Sequence, residues 1–431
     1  MHSLKFQTVI LASVLLTACA SAPDKPAADD VKSTPVSDSI GILLYGDSGY
    51  LPEYPDDDDY VEVFDEQQYL AKEKADWLED KRPPEDFQAR PWTISPVTGG
   101  VITDTGLHLV SAAMKNYCKN TATCDFGMMM GDNIYPNGLT RGLDGFDDQL
   151  RMKHMFADPL GNLVDEPPGF VIYSTLGNHD WRTSREAGFD QIEYLEESDA
   201  FYMDGPFYTV KPPSANGEVE LFVIDTNMIL TTLPVLDDQL ADDGSEIPTT
   251  ELDVPKYHVA PLTQAERDQA AWLEDKLKNS TAKWKIVLAH HPIWSSSGSK
   301  YEQGRALRKA ILPAMCRYAD AYIVGHEHTL EIHTDDCREA LGEPVSEPLV
   351  QIISGAAAKQ RPVHTPFMEK QEQKYPEHKT IWARGLIWGF AHLELEGDEA
   401  TVQLITVSDE TQPDGKMVFE YSFPRRSQLT H

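Results

Sequence analysis

The sequence predicts an α/β layered domain, and three features of its residue pattern support this fold class. Short apolar runs of strand length alternate with segments of helical periodicity along most of the chain. From Phe390 to Val407, apolar and polar residues alternate on both sides of Glu396-Gly397-Asp398, which is typical of two antiparallel strands. Five of the apolar runs end directly before a polar motif. We therefore expect strands and helices to alternate first and the last strands to pair antiparallel.

Composition and charge limit the possible functions. The chain has 431 residues, of which 41% are hydrophobic and 25% charged, so a packed core is expected in one large domain or two ordinary ones. Its formal net charge is −33. Because nucleic acids are bound through Lys and Arg, this charge argues against a nucleic-acid partner.

The first residues have the pattern of an export signal. Lys5 supplies a positive charge, and Thr8 to Leu16 form an apolar stretch too short to span a bilayer. Leu16-Thr17-Ala18-Cys19 then resembles the cleavage box of bacterial lipoproteins. We expect residues 1–18 to be a lipoprotein signal peptide and Cys19 to carry lipid. The alternative is an ordinary secretory signal that is cut nearby.

Residues 19–39 predict a flexible tether, because they are rich in Ala, Pro, Asp and Ser. Ala20 follows Cys19 where Asp could stand, which resembles the signal for outer-membrane sorting. The expected location is therefore periplasmic or cell-surface, with a lipid that anchors an exported protein to the outer membrane. The sequence carries no indication of the oligomeric state.

Four further cysteines, Cys118, Cys124, Cys316 and Cys337, predict disulfides. An even number in an exported protein is typical of bridges, and four cysteines allow three connectivities. The pairs Cys118–Cys124 and Cys316–Cys337 are favoured, because each would close a local loop beside a polar motif. A metal site built from thiolates is the weaker alternative, since the chain has no Cys-x-x-Cys pair.

The regular elements follow in order from residue 40. Buried strands are predicted at 40–45, 126–130, 169–173, 221–225, 285–289, 321–324 and 350–353. Helices are predicted from Gly106 to Tyr117, from about Gln264 to Lys278 and from Arg305 to Tyr318. Thr263, with Glu266 three residues later, matches a capping box at the start of the second helix.

Two acidic insertions, near residues 51–98 and 235–260, interrupt this pattern. The first contains the run Asp56 to Asp59, which could indicate calcium binding. The run lacks the alternation and the central Gly of an EF-hand loop, however. We therefore expect a solvated acidic insertion.

Seven candidate metal ligands lie in the five motifs that follow strands. The motifs are Gly46-Asp47-Ser48-Gly49, Gly131-Asp132-Asn133-Ile134-Tyr135, Gly177-Asn178-His179-Asp180, His290-His291-Pro292 and Gly325-His326-Glu327-His328. Ligands gather at the carboxyl ends of strands in α/β folds, and the motif glycines are expected to let the backbone turn sharply. Asp, Asn, Tyr and His are hard donors that suit iron, manganese or zinc. Because two such ions together polarise a phosphoryl oxygen and lower the pKa of a bound water, the motifs predict a two-metal hydrolase.

These motifs resemble those of the metallophosphoesterase family, and specifically those of small, tartrate-resistant purple acid phosphatases. Five further stretches are also similar to that family: Gly205-Pro206-Phe207-Tyr208, Gln269-Ala270-Ala271-Trp272-Leu273, His290-His291-Pro292-Ile293-Trp294-Ser295, Ile353-Ser354-Gly355-Ala356 and Gly389-Phe390-Ala391. The resemblance implies a four-layer α/β/β/α sandwich of two mixed sheets flanked by helices. It also implies that residues 40–431 form the catalytic domain.

The resemblance assigns a role to each candidate ligand. The implied ligands are Asp47, Tyr135 and His328 for the first ion, Asp132 as the bridge, and Asn178, His290 and His326 for the second ion. Tyr135 discriminates the subfamily, because a phenolate bound to Fe(III) gives purple acid phosphatases their colour and most other metallophosphoesterases lack it. The implied cofactor is a dinuclear centre of Fe(III) with Fe(II), Zn(II) or Mn(II). The alternative is that Tyr135 is a structural aromatic residue.

Two histidines, His179 and His291, are candidates for catalysis. His179 resembles the family's histidine that orients phosphate or protonates the leaving oxygen, and Asp180 would hold it in position. Where small mammalian-type members carry another His, this chain has Ser299 followed by Lys300. Either His291 supplies the missing imidazole or Lys300 holds the substrate phosphate, so the proton donor stays open.

The implied function is an exported acid phosphatase that hydrolyses small phosphate monoesters by in-line attack of a metal-bound hydroxide. One alternative is a phosphodiesterase or nucleotidase with Mn or Zn, which the motifs alone allow but Tyr135 argues against. Another is a non-catalytic surface lipoprotein with a vestigial site. The complete set of seven ligands argues against that alternative.

Overall fold

The computed structural model describes residues 39–164, 169–408 and 415–426. The predicted signal peptide, Cys19 and the tether up to residue 38 lie outside the described residues, and Ser39 is already the first residue of a strand. Within the described ranges, no helix has both the length and the apolar character needed to cross a membrane.

Strands and helices alternate along most of the described part of the chain. The strands are β1 (Ser39–Tyr45), β2 (Trp92–Ile94), β3 (Val101–Thr103), β4 (Phe126–Met130), β5 (Ile172–Thr175), β6 (Phe201–Tyr202), β7 (Tyr208–Val210), β8 (Val219–Val223), β9 (Trp284–Leu288), β10 (Ala321–Val324), β11 (Leu330–Asp335), β12 (Leu349–Ser354), β13 (His378–Arg384), β14 (Trp388–Glu396), β15 (Glu399–Val407) and β16 (Lys416–Pro424). The helices are α1 (Asp57–Val61), α2 (Glu66–Glu79), α3 (Leu107–Asn120), α4 (Asp148–Met152), α5 (Asp158–Leu160), α6 (Arg185–Glu196), α7 (Thr226–Thr231), α8 (Gln264–Arg267), α9 (Gln269–Asn279), α10 (Tyr301–Tyr318), α11 (Arg338–Leu341) and α12 (Thr365–Lys374).

Two seven-stranded mixed sheets form the centre of the fold. Their strand orders are β16-β15-β14-β1-β4-β5-β6 and β13-β11-β12-β10-β9-β8-β7. Met128 of the first sheet and Ile286 of the second belong to one buried apolar cluster between the sheets. On its other face, the second sheet packs against α9 and α10 through residues such as Leu273 and Ile311, and α3 packs on the first sheet at β14 and β15. The four-layer sandwich predicted from the sequence is confirmed.

Parallel pairing aligns the strand ends that carry the five motifs. β4 pairs parallel with both β1 and β5 in the first sheet, and β9 pairs parallel with β10 in the second. Each of these five strands ends two or three residues before the first candidate ligand of its motif. The prediction that every motif follows a strand is therefore confirmed.

Two of the three predicted helices are continuous, and the third is divided in two. The segment predicted as one helix from Gln264 to Lys278 is interrupted at Asp268 and forms α8 and α9, although Thr263 makes its predicted capping box. Gln269, directly after the break, is buried and accepts a hydrogen bond from Asp225 N at 2.7 Å. This tertiary contact leaves no trace in the residue periodicity. Helix α10 begins four residues before the predicted start.

Both predicted disulfides are present. Cys118 and Cys124 are bridged with their Cα atoms 5.4 Å apart, and Cys316 and Cys337 with theirs 5.8 Å apart. Because each pair closes a short loop, the local spacing was sufficient to identify the partners.

The first insertion, residues 51–98, is folded as well as solvated. It contains α1, α2 and β2, and most of its residues are exposed. Its inner face, however, buries Tyr69, Glu73 and Trp77. The insertion therefore packs onto the domain and contributes to the cavity described below.

Candidate metal centre

Tyr135 lies in the middle of the first group of predicted ligands. Its hydroxyl is 2.8 Å from Asp132 Oδ2, 3.0 Å from Asp47 Oδ1 and 3.0 Å from His328 Nε2. His328 Nε2 is also 3.4 Å from Asp47 Oδ1. Three separate loops thus bring four donor atoms into mutual contact.

His290 connects the second group to the first. Its Nε2 is 3.1 Å from His326 Nδ1, 3.2 Å from Asn178 Oδ1 and 3.4 Å from Asp132 Oδ1. Asp132 therefore contacts Tyr135 with one carboxylate oxygen and His290 with the other. The fold brings all seven predicted ligands together, with Asp132 between the two groups.

Four of these side chains project from backbone in the left-handed region. The φ angle is 56° at Asp47, 51° at Asp132, 72° at His326 and 44° at His328. Residues other than Gly adopt this conformation rarely and at a cost in free energy, and such residues cluster at functional sites. The strained turns of the centre are therefore made by the ligands themselves.

The motif glycines act mainly by leaving space, which differs from the predicted role in turning the backbone. Among Gly46, Gly49, Gly131, Gly177 and Gly325, Gly131 alone has a positive φ, 83°. A Cβ at Gly177 would lie 2.2 Å from Asp132 Oδ1, and a Cβ at Gly325 would lie 2.5 Å from Asp47 Oδ2. These positions exclude a side chain because a ligand carboxylate passes directly over the backbone.

The charges of the centre fit a bound cation. Burial raises the pKa of Asp47 to about 8. Asp132 is also buried, but His290 and His179 beside it hold its pKa well below the usual range. Burial raises the pKa of the Tyr135 hydroxyl well above its usual range. A multivalent cation would stabilise both carboxylates and a phenolate at once, since each is an oxygen anion held away from water.

Two of the three ligand histidines are neutral, as metal ligands must be. Burial lowers the pKa of His326 and of His328 well below the usual range. Although His290 is also buried, Asp132 beside it raises the pKa of His290 to about 9, and a cation bound at this position would displace that proton. His326 Nε2 is buried and has no hydrogen-bond partner within the described part of the chain. Ligand atoms of Asp47, Asp132 and His290 all lie within 4.8 Å of one another. The donor set of oxygen and nitrogen atoms suits iron, manganese or zinc.

Backbone hydrogen bonds orient three of the ligands. His290 Nδ1 donates to Met130 O at 2.7 Å, which turns Nε2 toward Asp132. Asp47 Oδ2 accepts from His326 N at 2.7 Å, and Asp132 Oδ1 accepts from His179 N at 2.8 Å. Bonds of this kind fix ring and carboxylate orientation around a metal.

His179 lies at the open side of the centre. Its Nδ1 donates to Pro136 O at 2.5 Å, and its Nε2 is 4.0 Å from Asp132 Oδ2. The side chain is 15% exposed and lines a cavity. Burial lowers the pKa of His179 to about 3, so the imidazole is neutral at mildly acid pH.

Asp180 has different partners from the one predicted, His179. Its carboxylate accepts from Gly177 N at 2.8 Å, from Asn133 N at 3.0 Å and from Ile134 N at 3.0 Å. Asp180 therefore ties the loop after β4 to the loop after β5. The prediction followed adjacency in sequence, whereas the buried carboxylate is oriented toward the backbone donors of both loops.

His291 lies behind the centre, away from the cavity. It is buried, its Nδ1 is 2.7 Å from Thr226 Oγ1, and its ring centroid is 4.4 Å from that of His326. Ser299 lines the cavity. Lys300 is not among the residues that line this cavity. Its backbone N–H donates to Asp238 Oδ2 at 2.6 Å. The predicted catalytic role of His291 and the predicted phosphate-binding role of Lys300 stay predictions.

A cavity of about 350 Å³ opens beside the centre and contains residues that the sequence did not point to. His179 and His328 form its inner wall. Its cationic residues come from the first insertion and from the loop after β12: Arg82, Arg90, Lys359 and Arg361. Burial lowers the pKa of Lys359 to about 8. In the sequence, the stretch Ile353-Ser354-Gly355-Ala356, which is similar to the family and ends three residues before Lys359, was the feature that could have pointed to this loop.

Comparisons with known proteins show which family the chain resembles. The profile of the calcineurin-like phosphoesterase family matches residues 100–330, more than half of the chain. Purple acid phosphatase 3 of Arabidopsis thaliana is 31% identical over 212 residues, which cover 48% of this chain and 49% of the relative. Purple acid phosphatase 17 of the same plant is 29% identical over 237 residues, which cover 54% and 59%. The chain thus spans about half the length of these curated relatives.

A solved structure is also similar over most of its length. GAP50, described as the anchor in the inner membrane complex of Plasmodium, superposes with a TM-score of 0.53 and 14% identity. The match covers 91% of this chain and 90% of that one, and at this identity it shows the shared fold alone. The family profile covers more than half of the chain and includes four of the five ligand motifs, and the chain therefore belongs to the calcineurin-like phosphoesterase family.

Proposed function

We propose that this chain is an exported acid phosphatase that hydrolyses phosphate monoesters at a centre of two metal ions. The position of Asp132 carries the proposal. One of its carboxylate oxygens contacts Tyr135 and the other contacts His290, so a single carboxylate joins the two groups of predicted ligands. A shared carboxylate allows two ions to be held close enough to act on one phosphoryl group.

The proposed ligands are those expected from the sequence: Asp47, Tyr135 and His328 for the first ion, Asp132 as the bridge, and Asn178, His290 and His326 for the second. Fe(III) is proposed for the first ion, because a phenolate is a hard anionic donor, and Fe(II), Zn(II) or Mn(II) for the second. When bound, the two ions polarise a phosphoryl oxygen and lower the pKa of a bound water.

The chain's own residues orient the substrate and support the centre. Because His179 Nδ1 donates to Pro136 O, Nε2 is the ring nitrogen left free. Nε2 accepts a hydrogen bond while the ring is neutral, and it donates one to the ester oxygen only when the ring is protonated. Asp180 holds the loops after β4 and β5 in register through backbone donors. The cavity of about 350 Å³ beside His179 suits a small phosphorylated molecule.

Asp132→Asn tests the proposed reaction. Asparagine has nearly the same shape but lacks the negative charge, so turnover of p-nitrophenyl phosphate should be abolished while the melting temperature shows a folded protein. Asp190→Asn is the matched control, since Asp190 is a partly exposed residue that is paired with Arg141. Retained activity in Asp132→Asn would defeat the bridging role. If the natural protein prefers a phosphate diester, the phosphodiesterase or nucleotidase alternative is favoured. If it hydrolyses neither ester, the non-catalytic alternative is favoured.

Tyr135→Phe tests the identity of the first ion. The iron-loaded protein should show a broad visible absorption band from the phenolate bound to Fe(III), and the variant should lose this band. The hydroxyl of Tyr135 contacts Asp47, Asp132 and His328, so the variant should also bind the first ion more weakly. Bound iron without such a band in the natural protein would contradict the purple acid phosphatase assignment.

We also propose that the protein is exported as a lipoprotein and anchored to the outer membrane through Cys19. The cleavage box before Cys19 and the two disulfides support this, because disulfides form and persist in oxidising compartments. Bacteria fed labelled palmitate should label the natural protein and not Cys19→Ala, and the variant should leave the membrane fraction. Absence of label from the natural protein would contradict the lipid anchor.

A further inference from the structure

Lys359 places its ammonium group beside the candidate metal centre. Its Nζ is 4.5 Å from the ring centroid of Tyr135 and 4.6 Å from that of Tyr50. Lys359 and His179 line both the cavity of about 350 Å³ and a neighbouring cavity of about 250 Å³ that the first insertion encloses. The ammonium therefore lies where the two cavities meet, against the ring whose hydroxyl contacts Asp132.

Lys359 differs from the arginines around it in its partners. Arg90 is paired with Glu73, and Arg361 is paired with Glu327. Across residues 39–164, 169–408 and 415–426, no carboxylate lies within ion-pair distance of Lys359 Nζ, which contacts two aromatic faces. An ammonium over a ring still has N–H donors to offer, since a ring face accepts no strong hydrogen bond.

The charges around Lys359 favour an anion between them. Besides burial, Arg90, Arg361 and Arg182 lower the pKa of the Lys359 ammonium, and Asp132 acts in the opposite direction. Arg182 has a buried Nε without a hydrogen-bond partner in the described residues. Glu73 and Glu327 compensate Arg90 and Arg361, whereas Lys359 and Arg182 have no such carboxylate within the described ranges. Partly buried positive charges of this kind are costly unless an anion compensates them. The cluster also stands out in a chain whose formal net charge is −33.

We propose that Lys359 is a substrate-binding residue whose ammonium donates a hydrogen bond to a phosphoryl oxygen of the monoester. The inference rests on the proposed phosphatase function and deepens it by naming a residue that holds the phosphate. Hydrogen bonds between ammonium and phosphate are charge-assisted and therefore strong. Lys359 would perform the role that the sequence suggested for Lys300, which lies outside the cavity lining.

Titration of the metal-loaded protein with inorganic phosphate tests this role without turnover. Lys359→Met keeps an apolar stem over the two rings and removes the charge, so the Kd of phosphate should rise about tenfold or more. The KM for p-nitrophenyl phosphate should rise with it, and kcat should change less. Lys359→Arg should recover part of the affinity, because it restores the positive charge.

Lys72→Met is the matched control. Lys72 lines the neighbouring cavity and is paired with Asp76 at 2.9 Å, so its loss makes the same change in net charge without removing an unpaired donor. Its Kd for phosphate should stay within about twofold of the natural value. Melting temperature and metal content confirm that each variant is folded and loaded.

Three results would overturn the inference: natural phosphate affinity in Lys359→Met, equal losses in Lys359→Met and Lys72→Met, or no phosphate binding by the natural protein. Phosphate binding that depends on Lys359, in a protein that hydrolyses no monoester, would contradict the proposed function and leave only the phosphate-binding role of Lys359 standing. The two proposals are therefore separable.

Discussion

Gly177→Ala should disrupt the candidate metal centre through one added methyl group. A Cβ on Gly177 would lie 2.2 Å from Asp132 Oδ1, 2.3 Å from Asp132 N and 2.7 Å from His290 Cε1. Gly177 is absent from the residues with positive φ, so alanine can adopt its backbone conformation. The expected effect is therefore steric, and alanine's smaller entropy in the unfolded chain would otherwise favour the variant slightly.

The size of the effect follows from these distances. Non-bonded carbon atoms prefer a separation of about 3.5–4.0 Å, so Asp132 or His290 must move by on the order of 1 Å. Rotation of the Asp132 side chain cannot relieve the contact between the new Cβ and the backbone nitrogen of Asp132. The pairing of β4 with β5 holds that nitrogen in place. Overpacking of this kind costs about 1–3 kcal/mol of stability. Metal–ligand distances tolerate only about ±0.2 Å, so metal affinity should fall about 100-fold.

Metal analysis after dialysis, competition with a chelator and urea unfolding would measure both effects. Gly127→Ala is the matched control on the neighbouring strand. A Cβ there would meet the side chains of Ile172 and Phe170, each at 3.2 Å, and these can move. The control should keep its metals and lose less than about 1 kcal/mol.

Natural metal stoichiometry and affinity in Gly177→Ala would refute the reasoning. That result would mean that the loops after β4 and β5 can separate without displacing Asp132 or His290. It would also mean that the centre does not need a glycine before Asn178 to leave space for its ligands.

Further outcomes are expected at other positions. Replacing Cys316 and Cys337 together by alanine should lower the free energy of unfolding in urea by about 3 kcal/mol. This is the entropy that the bridge removes from the unfolded chain by closing a loop between residues 21 positions apart. A loss below about 1 kcal/mol would contradict this. Burial raises the pKa of Asp320 to about 6, above its value in the unfolded chain. The folded state therefore binds the proton of Asp320 more tightly, and this stabilises the protein fully below about pH 4. The stabilisation, roughly 3 kcal/mol, is lost as the pH rises through 6. Asp320→Asn should therefore flatten the fall of unfolding free energy across this range, and an unchanged slope would count against it. Removing metal with a chelator should lower the free energy of unfolding by about 4 kcal/mol if the metal was present at a thousand times its Kd, and an unchanged melting temperature would argue against binding to the folded state.

The predicted ligands proved to be neighbours because each lies at a recognisable place in a local pattern. A short apolar run followed by Gly131-Asp132 or Gly325-His326 identifies the end of a strand, and the strand ends of an α/β fold meet at one edge. The disulfides were predictable for a related reason, since each joins cysteines that are close along the chain. Asp180 was assigned the wrong partner because adjacency to His179 says nothing about where a buried carboxylate points.

By itself, the sequence determined the α/β fold class, the seven candidate ligands and the disulfide partners, because all of these depend on residues that are near one another along the chain. Only the tertiary structure decided which oxygen of Asp132 contacts Tyr135 and which contacts His290, and that Lys359 faces the first insertion across the open side of the centre. These contacts join loops that are distant in sequence. Their positions depend on how two sheets pack against each other, which neither periodicity nor motif spacing describes.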